Sequence, residues 1–311
     1  MRRPGLPLLL LAAALPAGCA KPATVATTVV VDPQAPAETP SADLPILRQK
    51  AAMGRVDSVR AELAPRLAAA PEGTPDAGRD ALRALAVELA LVQDDQPAAL
   101  RELAALAREL DSLGERASRE DRARWHTLHG ACLFAQQRFA EARSQDLQAL
   151  ALLDLGPDST PLVGDALAGL ARDQLALGEP DKALTSVRRA LAVHKDSLAV
   201  LADRVLAVDV MIALGEASEA VITAGKAYDD ALLHVGPDTL AHAEALVAAA
   251  AATVASGDLE AARTFLTDAH EIWGALQAAR TDPARPVDAR LARRLAALAV
   301  ALAAALAAPK P

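Results

Sequence analysis

From Leu44 onward, apolar residues return every three or four positions and are interrupted at short intervals by Gly, Asp or Pro. That period belongs to consecutive short amphipathic helices, since a half-buried strand would alternate with a period of two. The clearest unit runs from Asp165 to Lys195. Its first helix places Leu167, Leu170, Ala171 and Leu175 on one face, and Gly178 ends it. Pro180 then stands where a first helical turn tolerates proline, and a second helix carries Ala183, Leu184, Val187, Ala190 and Leu191. Two helices joined by so short a turn fold back as an antiparallel hairpin.

The unit repeats. With the second-helix alanine as anchor, Ala142, Ala183, Ala220 and Ala262 align at spacings of 41, 37 and 42 residues. Five positions earlier stand Gln137, Gly178, Gly215 and Gly257; seven later, Ala149, Ala190, Ala227 and Ala269; twelve earlier, Gly130, Ala171, Val208 and Ala250. A turn column and two small-residue columns in one register predict stacked hairpins that approach each other closely. The pattern resembles tetratricopeptide repeats, and the connectors Leu155-Gly156-Pro157-Asp158-Ser159 and Val235-Gly236-Pro237-Asp238-Thr239 are similar to those of the longer kinesin-light-chain variety. Gln174, Met211 and Thr253 stand where that family usually has Tyr. The resemblance implies an all-α fold, a right-handed superhelical solenoid of antiparallel helix hairpins.

Segments 44–112 read as two degenerate hairpins, with Gly54 matching the turn column, and 120–280 as the repeats proper. Pro283 and Pro286 break the chain, after which 285–308 forms a last helix with Asp288 as its cap. Each hairpin is too thin to bury its own apolar face, so neighbours stack and the ends need capping. Leu291, Leu295, Leu298, Leu302 and Leu306 recur at near-heptad spacing. They serve either the C-terminal cap or a homo-oligomer seam on this helix.

Composition fits helix: Ala fills 78 of 311 positions and aromatics only 2%, and Ala loses no side-chain entropy in a helix. A net charge of -8 offers no basic stripe for phosphates, so nucleic acid is excluded as the expected partner.

The first forty residues read as address. Met1-Arg2-Arg3, the apolar run Leu6 to Leu15 and Ala17-Gly18-Cys19 resemble a bacterial lipoprotein signal over 1–19, departing from it at Pro16. The run is too short to span a bilayer. The resemblance implies lipidation of Cys19, with plain secretion after cleavage near Ala20 as the alternative. Ala20 in place of Asp implies the outer membrane, facing the periplasm. Segment 20–43, with Pro22, Pro33, Pro36 and Pro40, reads as a tether.

Chemistry is sparse. His126 and His129 sit three apart with no third ligand in view, and His234, His242 and His270 scatter over different elements. Cys132 reads as a small buried residue. No phosphate loop, Gly-x-Ser-x-Gly elbow or His-Glu-x-x-His pair occurs, so no catalytic residue, metal or cofactor is expected. The family resemblance instead implies a protein or peptide partner on a concave face of first helices, here Arg124, Thr127, Asp165, Arg172, Asp209 and Glu244. No Asn exists in the chain to act as a backbone clamp. Three readings stay open: a membrane-anchored envelope scaffold, an accessory subunit of an envelope enzyme or secretion complex, and a cytoplasmic signalling adaptor.

Overall fold

The computed structural model describes residues 43–68, 77–153, 160–281 and 286–308. The signal and tether, Cys19 included, and the 155–159 connector lie outside the described residues. Those described form thirteen α-helices: α1 (Leu44–Ala52), α2 (Val56–Ala68), α3 (Ala77–Val92), α4 (Gln96–Leu113), α5 (Arg119–Ala135), α6 (Phe139–Leu152), α7 (Pro161–Ala176), α8 (Pro180–Val193), α9 (Ser197–Ala213), α10 (Ala217–His234), α11 (Leu240–Ser256), α12 (Leu259–Ala278) and α13 (Ala289–Ala307).

One turn builds all six hairpins. Gly54, Asp94, Gln137, Gly178, Gly215 and Gly257 each end a first helix with φ between 60° and 85°. The next residue's N–H returns to the carbonyl five positions back, as in Glu179 to Gln174 at 2.8 Å and Glu216 to Met211 at 2.9 Å. This closure satisfies helix-end carbonyls that would otherwise be orphaned. The turn column read from sequence is therefore a left-handed column, and Gln137 and Asp94 adopt it without being glycine.

The alanine columns form the packing seam. Ala142, Ala149, Ala183, Ala190, Ala220, Ala227, Ala262 and Ala269 all have 0% exposure, which leaves no room there for a larger side chain. With so few aromatics the stack is held by many small contacts. Close approach of helix backbones replaces bulky interdigitation.

At the C-terminal end, Leu291, Leu295 and Leu302 of α13 are buried against Leu240, Ala243 and Leu246 of α11 and Ile272 of α12. Asp288 accepts the Leu291 N–H at 2.8 Å and starts the helix. The leucine stripe is thus consumed within the chain as a cap, apart from Leu306, which is 57% exposed.

A stack read from sequence has two free ends; in the structure they meet. Val287, fully buried, joins a cluster with Leu47 of α1, Val56, Val59 and Leu63 of α2, and Leu82, Leu85 and Leu89 of α3. Asp57 of α2 accepts from Arg280 at 2.6 Å and from Thr281 at 3.2 Å. Gln49 of α1 donates to the His234 carbonyl at 3.0 Å, and Arg293 of α13 reaches Asp94 at 3.0 Å.

Candidate partner-binding site

Successive first helices, α3, α5, α7, α9, α11 and then α13, touch one another along the stack. Their charged residues gather on a common inner surface. The charge of Glu88 on α3 is felt by Arg48 of α1, Arg124 of α5, and Asp165 and Arg172 of α7. Burial raises the Glu88 carboxyl's proton affinity and the three arginines oppose it. Further along, Arg290 of α13 lies near enough to Arg172 to lower its proton affinity, after the larger effect of burial.

Five of the six candidate residues belong to this electrostatic neighbourhood, and their states differ. Asp209 accepts from Arg294 at 2.7 Å and Glu244 from Arg290 at 3.2 Å. Burial raises both carboxyls and these arginines pull them back. Asp165, half exposed, lies 3.3 Å from His194 Nε2. Arg124 and Arg172 carry no ion pair to a carboxylate among the described residues, and Arg172 stands over the Phe134 ring at 6.0 Å. Thr127 is turned back on its own helix, donating to the Ala123 carbonyl at 3.1 Å. The α13 arginines, which share the inner face, are not signalled by the first-helix register because α13 reads only as a cap.

Sequence reasoning passed over the buried polar groups beneath this face. His194, 5% exposed, shares a 2.7 Å hydrogen bond from Nδ1 with Asp203. Burial opposes its charge, but Asp165 and Asp203 more than reverse this and push it up to about 10. Asp146 of α6 and Asp173 of α7, at 2% and 1% exposure, form a buried acid pair. Desolvation raises both, Asp173 to about 7. The available signal was glycine inside helix α7: a Cβ at Gly164 would lie 2.3 Å from His194 Nε2, and one at Gly169 would lie 2.4 Å from Asp146 Oδ2.

The other chemical candidates take structural partners. His126 Nδ1 is 2.8 Å from Gln145 Oε1, and His129 packs against Trp125. Cys132 is buried, and desolvation pushes its thiol up to about 11, leaving no thiolate at neutral pH. Among the described residues no group of three metal-ligating side chains converges, and no helix is long and apolar enough to cross a membrane.

The tetratricopeptide repeat family matches residues 121–196, which span α5 to α8. No curated protein matches the chain in sequence. Among solved structures, a Rap protein complexed with competence and sporulation factor aligns at TM-score 0.53 and 12% identity, covering 78% of this chain and 68% of that one. The apo form of RapI aligns at 0.49 and 10%, covering 85% and 72%. PilF of Pseudomonas aeruginosa aligns at 0.41 and 16%, covering 76% and 93%. The family match falls on two consecutive hairpins, so the chain carries tetratricopeptide repeats over α5 to α8, and the same left-handed turns and alanine columns continue through the hairpins that follow.

Proposed function

We propose that this chain is a scaffold that holds a partner protein or peptide on its inner helical face, tethered to the cell envelope by a lipid on Cys19. The observation that carries the binding reading is the set of charged side chains on successive first helices, left partly accessible to water on an otherwise close-packed stack. Tetratricopeptide-repeat proteins are typically non-catalytic scaffolds, in keeping with a holding role. A Rap protein of the same fold is complexed with competence and sporulation factor, which supports capture of a partner by such a stack.

The anchor rests on the sequence of 1–19, and Ala20 after the cysteine favours the outer membrane on its periplasmic side. Metabolic palmitate labelling tests it: wild type incorporates label and Cys19→Ser does not, whereas equal labelling removes the anchor. Affinity capture from an envelope extract tests the binding face. Recovery of a specific partner by wild type and its loss with Arg172→Glu support it, and undiminished recovery by the variant contradicts it.

A further inference from the structure

Helix α13 has two faces, and the described residues cover only one of them. Leu291, Leu295 and Leu302 are buried against α11 and α12. The side turned away from those leucines is exposed: Ala296, Val300, Ala303, Ala304 and Ala307 follow one another at helical spacing, and Val300 is 72% exposed. From Leu295 to Pro309 the sequence has no charged or polar side chain. A helix that closes a repeat stack needs a polar outer face to stay in water, and this one has none beyond Arg294. We infer that a second copy of the chain covers this face, the two α13 helices packing antiparallel about a two-fold axis near Val300 and Ala303.

Charge and spacing favour a second copy over another occupant. With a net charge of -8, two copies repel in most orientations, and a face without charge lets them meet. The chain closes its own hairpins through alanines seven residues apart at 0% exposure, such as Ala183 and Ala190. Ala296 with Ala303, and Val300 with Ala307, repeat that step on the open side. The direction follows from the helix ends. Arg293 lies in line with this face, three residues before Ala296, and its side chain is 63% exposed in a surface pair with Asp94, a kind of pair that holds weakly. No basic residue stands in the last turn of α13 to offset the negative carbonyl end of the helix. In an antiparallel pair the Arg293 of each copy reaches the carbonyl end of the other, whereas a parallel pair sets like ends together. The face is short against the roughly 1,600 Å² that stable complexes bury, so the association is weak and depends on concentration.

The test uses the full chain carrying Cys19→Ser, so that no acyl chain drives association. In sedimentation equilibrium its mass rises from monomer to dimer with concentration and stops there. Val300→Glu and Ala304→Glu, both at exposed positions, set like charges near the axis; each weakens the dimer about tenfold or more, while melts at low concentration match the parent chain. Arg293→Ala weakens it several-fold, and Arg293→Lys, which keeps the charge, does so less. Direction is read by mild oxidation of a mixture of Ala296→Cys and Ala307→Cys chains, told apart by a mass tag, while Cys132 stays buried. The crossed disulfide forms in preference to the like-with-like ones. A chain that stays monomeric at every concentration, a mass that climbs beyond the dimer, or a dimer that persists in both glutamate variants overturns the inference. Like-with-like disulfides alone overturn the antiparallel arrangement. A monomer that photo-crosslinks in cells to a different protein from position 304, and no longer does so with Val300→Glu, gives the face to a heterologous partner and overturns self-pairing.

Discussion

At the scale of single residues, conformation rather than contact decides several positions. Gln137 holds φ 61° in a column where four of the other five turns have glycine, and a left-handed non-glycine residue costs on the order of 1–2 kcal/mol. Gln137→Gly is expected to stabilise the protein by about 1 kcal/mol, allowing for glycine's greater freedom when unfolded, read as a higher melting temperature. Gly169 and Gly225 look alike in sequence, each a glycine inside a helix. Gly169→Ala is expected to destabilise by roughly 1–3 kcal/mol because its Cβ meets buried Asp146. Gly225→Ala, with nothing within 4 Å, is expected to stabilise by up to about 1 kcal/mol; denaturant titration of both variants checks the contrast. The turn column and the alanine seam were legible because backbone sign and helix spacing recur with the repeat. The His194–Asp203 pair was not, because neither residue belongs to a recurring column and their juxtaposition depends on how α8 ends against α9.

Between elements, the α6–α7 junction carries a cost that pH can relieve. Asp146 and Asp173 stand in columns filled elsewhere by Val187, Ala224 and Leu266 and by Cys132, Val210 and Ala252. Register alone predicts them apolar and buried, and the structure buries them as acids, with Arg143 and Arg172 as the nearest cations. Asp173 binds its proton up to about pH 7 when folded but releases it near 3.8 when unfolded. The folded state therefore holds the extra proton across this window, and its stability falls as pH rises from about 4 to 7. His194 acts in the same direction at higher pH. Its contribution is complete below about 6.5 and is lost as pH climbs through about 10. Melting across pH 5 to 8 is expected to show a decline in wild type and a flatter profile in Asp146→Asn, whose amide can donate to Asp173. An unchanged slope in the variant would assign the decline to other groups.

Across the whole molecule, the local pattern predicted a cap and a stack but not the meeting of its ends. Arg280 and Asp57 are more than 220 residues apart in the chain, and no periodicity links the α1–α2 hairpin to the segment after α12. Where the two ends of a repeat stack come to lie follows from the small rotation that each repeat adds, which no local pattern shows. Arg280 is 4% exposed at its side chain, so Asp57→Ala leaves a nearly buried guanidinium without that carboxylate, at a local cost of about 2–4 kcal/mol. Hydrogen exchange is expected to quicken in α1 and α2 while α5 to α8 keep wild-type protection; a uniform increase would mean that the clasp supports the whole stack. The inner-face residues were legible in part, since first-helix register found Arg124, Asp165, Arg172, Asp209 and Glu244. It could not show that α13 supplies the arginines that pair with two of them, because that requires knowing where the last helix lies. The most direct measurement of the central claim is in-cell photo-crosslinking, with a photoreactive residue at Ala168, which is partly buried on the same face of the first helix α7 as Asp165 and Arg172, or at Arg189, which is exposed on the second helix α8. The account predicts a discrete partner adduct from position 168 and none from 189; an adduct from 189 alone would place the partner on the outer face and contradict it.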